Sequence, residues 1–466
     1  MIKTKLKNFW QDIVESVRGT ERDFTDVKLG RAILLLAIPM VLETVMESTF
    51  AVVNIFFVSK VSADAVAAVG ITESMLYLVY SIGFGLGAAT TAVVSRRIGE
   101  KDPTLASISA AQAISGGFAL SMIISLIGIF FPRDLLRLMG ASKEVVETGY
   151  MYTAIILGSN GLVMLLFIIN AVFRAAGNAA ISMRVIWMAN IINMILDPFL
   201  IFGWGPFPAL GVKGSAIATV VGRGFAVLYQ FLMLIKGSAR IKISLKQFKI
   251  NIGIMKRIFY LSLGGMGQTI IANSSWVALI RIIAAFGSEV VAGYTIAMRI
   301  IVFSMLPSIG LSNAAAALVG QNLGAQKPGR AERAAWLTAF VNMVFLGIVG
   351  FFLIIFSKPL IGIFINEPQV LSKGVESLRF IALGLLFYAF GLVIVQALNG
   401  AGDTAAPMKI NIFCYWLLEI PLAWFLAMHL GMKEKGVYVA IIIAESMTAI
   451  MGVIVFRRGH WKKRQV

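Results

Sequence analysis

The chain has 466 residues, of which 59% are hydrophobic, and its mean hydropathy is +0.87, far above that of an ordinary soluble domain. A formal net charge of +18 would suit a nucleic-acid-binding protein, but the basic residues follow a membrane topology instead, so no nucleic acid partner is expected. A single cysteine, Cys414, excludes an intramolecular disulfide.

The chain begins with a polar and basic segment, residues 1–31, which lacks the short apolar core of a cleavable signal peptide. Apolar runs of about 20 residues, enough to cross a bilayer, then recur along the sequence. The sequence therefore predicts an all-α integral membrane protein with twelve transmembrane helices. The predicted helices, numbered 1 to 12, cover residues 32–58, 66–94, 106–131, 146–172, 181–204, 212–235, 258–286, 290–319, 334–357, 374–398, 406–429 and 436–456.

The first segment also carries apolar residues at helical spacing among charged ones, which predicts a surface helix lying on the membrane. These residues are Phe9, Trp10, Ile13, Val14 and Val17.

The two halves of the chain resemble each other. Residues 36–185 align without a gap on residues 261–410 at a constant shift of 225 positions. The constant shift predicts a tandem duplication into two pseudo-symmetric six-helix lobes. The predicted units are an N-lobe at residues 32–235, an inter-lobe loop at 236–257, a C-lobe at 258–456 and a basic tail at 457–466.

The distribution of Lys and Arg predicts the orientation of the chain. If the N-terminus is cytoplasmic, the inside segments hold 28 of these residues and the outside segments hold nine. This is the positive-inside pattern, so both termini are expected to be cytoplasmic and the protein to be a multi-pass protein of the plasma (inner) membrane.

The first lobe carries polar side chains within its apolar helices. Helix 1 has Glu43, Glu47 and Asn54 on one face, and helix 2 has Glu73. A charged side chain at mid-bilayer costs about 2.5–3.5 kcal/mol, so each is a candidate functional group.

Helix 5 has a polar face of its own, formed by Asn190, Asn193 and Asp197. Pro198 follows the acid and is expected to bend the helix, because it cannot donate to the preceding turn. Carboxylate and amide oxygens suit a small hard cation, so these residues predict a cation or proton site. Hydrogen bonds that tie the helices together remain the structural alternative.

The aligned positions of the second lobe lack this acid chemistry. Charged residues do occur there, at Arg281, Arg299, Glu419 and Glu445, but they are scattered. We expect them to form structural ion pairs.

Three strings resemble motifs of the multidrug and toxic compound extrusion (MATE) family. Val319–Ala325, reading VGQNLGA, resembles the loop between helices 8 and 9, and Asn193–Gly203 resembles the helix 5 motif. Gly400–Asp403, followed by Pro407 and Met408, resembles the turn between helices 10 and 11. With the duplication, the resemblance covers essentially the whole chain.

The resemblance implies two six-helix lobes around a V-shaped cavity, which export organic cations in exchange for Na⁺ or H⁺. It implies a monomer in a lipid bilayer that carries small drug-like, amphipathic substrates and needs no cofactor besides the coupling ion. Any metal would be Na⁺ at Asp197 and Asn193.

Single residues carry the family roles as follows. Asp197 matches the helix 5 acid, Asn193 its neighbouring amide and Thr219 the helix 6 hydroxyl. Tyr152 and Asn170 match polar lining positions of the substrate cavity, to which Asn190 is added.

The helix 1 motif departs from the family, because Asn54 stands where an Asp is usual. Asn cannot release a proton. Either Glu47 or Glu43 has taken over the charge, or the site is altered and impaired.

Other functions fit the sequence less well. A lipid-linked-precursor flippase of the same superfamily usually has fourteen helices and a more strongly charged cavity. Two histidines make a histidine-based metalloenzyme improbable, and no phosphate-binding loop is present. The polar helix faces would also suit an ion channel, but an asymmetric duplication within one chain favours alternating access. The loop between helices 2 and 3 lacks the pattern of major-facilitator transporters.

Overall fold

The computed structural model describes residues 2–19, 22–237 and 240–466. Helices make up nearly all of this part of the chain. The first half holds α1 (Ile2–Arg18), α2 (Leu29–Ser59), α3 (Ala63–Gly99), α4 (Pro103–Phe130), α5 (Pro132–Leu138), α6 (Lys143–Gly158), α7 (Asn160–Ala175), α8 (Ala179–Phe202) and α9 (Val212–Lys236).

The second half repeats this order. It holds α10 (Ile252–Ile283), α11 (Ser288–Gly324), α12 (Pro328–Ile355), α13 (Ser357–Gly362), α14 (Pro368–Gly400), α15 (Ala405–Asn411), α16 (Ile420–Trp424) and α17 (Glu434–Arg457).

Twelve spans cross the membrane. Eleven helices in the described residues are long and apolar enough to do so, and the pair α6 and α7, bent by 41°, forms the twelfth. The eleventh span runs from Ala405 to His429 and contains wide π-helical turns at Ile412–Glu419 and Phe425–His429. Pro421 lies between these turns and has no N–H to continue the regular ladder.

The duplication is visible in the helix boundaries. α3 and α11, α4 and α12, and the α6–α7 pair and α14 each begin and end 225 positions apart. The shift found in the sequence therefore relates equivalent helices of two pseudo-symmetric six-helix lobes.

Local sequence determines several helix ends. Ser62 caps α3 by accepting a hydrogen bond from the Ala65 backbone N–H at 3.0 Å, and Asp102 caps α4 in the same way through Leu105 at 2.9 Å. Pro198, by contrast, does not end or interrupt a helix, because α8 continues through it to Phe202. The bend expected at Pro198 remains a prediction.

The first helix lies against the start of the second. Arg31 pairs with Asp12 at 2.8 Å and Glu15 at 2.9 Å, and Trp10 is 66% exposed. The side chain of Phe9 lies outside the described residues. The predicted surface helix forms, and its membrane contact remains a prediction.

The lobes meet through α2, α3, α10 and α11. Gly85 of α3 lies against Ser262 and Met266 of α10, and the equivalent Gly310 of α11 lies against Met40 of α2. Because these glycines have no side chains, the backbones of the two lobes approach closely.

Both terminal segments lie at one end of the bundle, called here the terminal end. Arg96 and Arg97 of α3 donate to the carbonyl oxygens of Arg464 and Val466, each at 2.8 Å. Lys327 of the second lobe donates to Asp26 at 2.5 Å. Each terminal segment therefore bridges to the opposite lobe, and the lobes are closed at this end.

Candidate functional site

A buried carboxylate lies between α2, α8 and α9. Asp197 is 0% exposed, and its Oδ2 accepts a hydrogen bond from Asn54 Nδ2 at 3.3 Å. The same Asn54 nitrogen also donates to Ser215 Oγ at 2.9 Å. Helices far apart in sequence therefore surround one acid with neutral polar groups.

Asn193 completes this cluster one turn before Asp197 on the same helix. With its amide oriented to satisfy both ends, Nδ2 donates to Asp197 Oδ2 at 3.0 Å and the oxygen accepts from Thr219 Oγ1 at 2.6 Å. Four of the sequence-predicted residues, Asn54, Asn193, Asp197 and Thr219, thus come together. We call these four residues and Ser215 the acid cluster.

The acid cluster can hold a cation or a proton. In the described part of the chain, Asp197 has no Lys, Arg or His nitrogen within 4.0 Å. An ionised carboxylate buried without a countercharge is unstable, whereas a protonated or cation-bound one is not. Carboxylate, amide and hydroxyl oxygens are all present, and these are the ligands that hard cations prefer.

The other helix 1 acids lie outside the acid cluster. Glu47 is exposed and accepts a hydrogen bond from Asn190 at 3.1 Å, while Glu43 forms an ion pair with Arg174 at 2.8 Å. The two acids therefore differ, since one has a neutral partner and the other a cationic one.

Three further predicted residues lie apart from these groups. Glu73 is exposed on α3. Tyr152 and Asn170 are buried within the N-lobe at 5% and 3% exposure, and Asn170 accepts from Gln230 at 2.8 Å. Neither lines the cavity between the lobes in this conformation, so their substrate role remains a prediction.

A cavity of about 130 Å³ lies between the lobes. α3 and α7 line it on one side, and α10, α11 and α14 line it on the other. The exposed Glu47 and Glu73 lie nearer the opposite end of their helices from the terminal end. Charged side chains exposed at this depth face water rather than lipid. None of residues 85–99 of α3 or 310–324 of α11 is exposed, whereas exposed residues occur earlier on both helices. The close contact between the lobes is therefore confined to the half of these helices nearer the terminal end.

The prediction of ion pairs in the second lobe is wrong for its two acids. Glu419 accepts from Ser275 Oγ at 2.6 Å, and Glu445 accepts from Tyr415 OH at 3.3 Å. Within the described residues neither acid has a basic partner within 4.0 Å. Arg281 and Arg299 likewise form no ion pair at that distance there.

Sequence reasoning missed two residues of the site, Ser215 and Arg174. Ser215 lies one turn before Thr219 on α9, so the i, i+4 spacing could have placed it on the same face. Arg174 had no such signal, because its partner Glu43 is 131 positions away.

These features define a multi-pass helical membrane protein with two pseudo-symmetric lobes, a cavity between them and, in each lobe, a buried carboxylate without a basic partner among the described residues, Asp197 and Glu419. The family model MatE matches residues 39–199 and again residues 266–425, once in each lobe and over more than half of the chain. The chain belongs to the MatE family, whose members are transporters rather than enzymes.

Individual relatives cover almost the whole chain. It is 25% identical over 440 residues to the probable multidrug resistance protein YoeA of Bacillus subtilis, covering 94% of this chain and 95% of that protein. It is 27% identical over 430 residues to an FAD transporter of Shewanella oneidensis, covering 91% and 93%.

A solved structure shares the fold. It is described as an outward-facing conformation of a multidrug resistance MATE family transporter of the MOP superfamily. The two structures have a TM-score of 0.88 at 23% identity, over 95% of this chain and 98% of that chain.

Proposed function

We propose that the protein is a secondary antiporter that exports amphipathic organic compounds, with a cationic group, in exchange for Na⁺ or H⁺. The observation that carries the proposal is Asp197, a fully buried carboxylate that accepts hydrogen bonds from two neutral amides, Asn54 of α2 and Asn193 of its own helix. A group that is stable only when neutralised suits a site that binds and releases the coupling ion.

The shape of the molecule supports alternating access. The lobes are in close contact at the terminal end, and the helices that form this contact are partly exposed towards the other end. With cytoplasmic termini, as the positive-inside pattern predicts, this is the outward-open state of an exporter. Relatives are named for multidrug resistance and for FAD transport, which supports export of small organic molecules while leaving the substrate open.

The coupling ion can be identified with purified protein in liposomes. Substrate-driven uptake of labelled Na⁺ is compared with a substrate-driven change of internal pH, in wild type and in Asp197→Asn. Wild type should move one of the two ions. The variant should fold and insert but lose ion-coupled transport by at least about tenfold, since coupling free energies of 1–3 kcal/mol correspond to roughly 5- to 150-fold.

Two results would overturn the proposal. One is substrate export by wild type that moves neither ion. The other is a wild-type rate of coupled export in Asp197→Asn.

A further inference from the structure

Arg174 lines the cavity between the lobes near the terminal end of its helix. It occupies the last turn of α7 and lines the cavity with residues of α3, α10, α11 and α14. The sequence assigned it no role, and the acid cluster does not use it. A guanidinium in a transporter cavity must still be explained, since a charge within a membrane is costly.

The Arg174 guanidinium has hydrogen-bond donors beyond the one that binds Glu43. A guanidinium carries five N–H donors, and Arg174 uses Nη1 to donate to Glu43 at 2.8 Å. No nitrogen of Arg174 is buried without a partner, so its other donors are accessible. Because the side chain lines the cavity, these donors are available to a molecule bound there.

The facing wall is neutral. Gln268 and Asn399 exchange two hydrogen bonds of 3.0 Å each. At the shift of 225 positions Gln268 corresponds to Glu43, and Asn399 corresponds to Arg174. The equivalent pair is therefore charged in the first lobe and uncharged in the second. Arg174 is therefore the source of positive charge on one side of an otherwise neutral lining.

The rest of the lining adds hydrogen-bonding groups. No Asp or Glu is among the lining residues of the described chain. The polar ones besides Arg174 are Thr91, Gln268, Thr269, Asn313, Gln396 and Asn399. Such a lining suits a hydrogen-bond acceptor, above all a carboxylate, and disfavours an ammonium group.

Acids lie farther from the terminal end. Glu47 is four residues beyond Glu43 on α2, or about 6 Å along the helix at 1.5 Å per residue, and it is exposed. A bound molecule that extends from Arg174 beyond the cavity lining to Glu47 would therefore meet a positive charge at one end and a negative charge at the other.

We infer that Arg174 forms a carboxylate-binding subsite, so that the transporter selects zwitterionic amphipathic compounds, which carry a carboxylate as well as a cationic amine. This inference rests on the proposed export function and names its substrate class. Arg174 binds the carboxylate, and Glu43 orients the guanidinium and moderates its charge.

The test uses a matched pair of dyes, a rhodamine with a free carboxylate and its methyl ester, which differ in one charged group. Binding to the purified protein is followed by fluorescence anisotropy. The ratio of the affinity for the free-carboxylate dye to the affinity for its methyl ester is compared between variants. A general loss of folded protein does not change this ratio, because both dyes are measured on the same preparation.

The two single variants, Arg174→Gln and Glu43→Gln, should change the affinity ratio in opposite directions. Wild type prefers the free carboxylate. Arg174→Gln lowers the ratio by about tenfold, equivalent to about 1.4 kcal/mol, and Glu43→Gln raises it by removing the opposing charge. The double variant, which avoids an unpaired acid, also lowers the ratio, and Arg174→Lys retains part of the preference. The control Arg133→Gln changes an exposed arginine on α5 and keeps the wild-type ratio.

An equal ratio in wild type and the Arg174→Gln double variant would overturn the subsite. Failure of the export proposal looks different, because it would abolish ion-dependent export of both dyes in liposomes while leaving the binding ratio and its dependence on Arg174 unchanged.

Discussion

Gly99 lies against the backbone carbonyl oxygen of Gln321 in the opposite lobe, so close that a methyl group on Gly99 would stand 2.0 Å from it. The equivalent contact is made by Gly324, where a methyl group would lie 2.1 Å from the carbonyl oxygen of Arg96. The two contacts are related by the shift of 225 positions. The closed terminal end is therefore a symmetric backbone contact that only glycine permits.

Gly99→Ala should open the terminal end. Backbone on both sides prevents relaxation, so the alanine destabilises this conformation relative to one in which the lobes separate there. The expected result is a longer distance between spin labels at Thr104 and Gly329, which are exposed residues at equivalent places in the two lobes.

Gly70→Ala is the matched control on the same helix, because no atom lies within 4 Å of a methyl group built there. It should keep the wild-type distance. A wild-type distance distribution in Gly99→Ala would contradict the assigned contact.

The tail should be released when its arginine contacts are removed. Arg96 donates to the carbonyl oxygen of Arg464 across the lobes and is only 7% exposed. Hydrogen bonds to charged groups contribute about 1.5–3 kcal/mol, so Arg96→Gln should speed tryptic cleavage after Lys462 and Lys463 by about tenfold. Arg133→Gln on α5 serves as the control, and equal cleavage rates in both variants would mean that Arg96 does not hold the tail.

The two acids of α2, the exposed Glu47 and the half-buried Glu43, should differ in their effect on ion-coupled export. Glu47 has the neutral partner Asn190, whereas Arg174 opposes protonation or cation binding at Glu43. Glu47→Gln should therefore reduce ion-coupled export more than Glu43→Gln, by at least about fivefold, the lower end of ordinary coupling energies. The measurement is the liposome export assay with a single ion gradient, and equal losses in the two variants would contradict the expectation.

Asn54→Asp tests the alternative explanation of the same site. Asn54 donates to Asp197, so an aspartate there would place a second acid against the first. If the acid function has moved to Glu47, this change should not raise activity. A strong increase in export would instead identify Asn54 as a loss-of-function change.

Much of the fold could be predicted because it follows from local pattern. Apolar length predicts each span, and the constant shift predicts the two lobes, in which three pairs of equivalent spans begin and end 225 positions apart. The bend of the fourth span was not predicted. It occurs where α6 ends at Gly158 and α7 begins at Asn160, within the string Gly158-Ser-Asn-Gly161, whose residue types are typical of turns.

Spacing along one helix predicts part of the site, and the family resemblance adds Asn54 and Thr219 from other helices. Asn193 and Asp197 are one turn apart on α8, so their contact could be predicted. The partners of Glu43 and Glu419 lie on distant helices, at Arg174 and Ser275, and depend on how the helices pack. The charged residues of the second lobe suggested ion pairs. In the structure the hydroxyl groups of Ser275 and Tyr415 contact Glu419 and Glu445 instead.

The lobes should differ in how they change shape during transport. The acid cluster joins α2, α8 and α9 in the first lobe, and the aligned positions of the second lobe carry no such cluster. An antiporter needs its ion to bind two states with different affinity. Ion or proton binding at Asp197 should therefore reshape α2 and α8 within the first lobe, with bending near Pro198, where a backbone hydrogen bond is already missing. The second lobe should move mainly as a rigid body.

Spin-label distances within each lobe, measured at low and high pH and with and without Na⁺, test this prediction directly. A larger internal change in residues 258–456 than in residues 32–235 would contradict it.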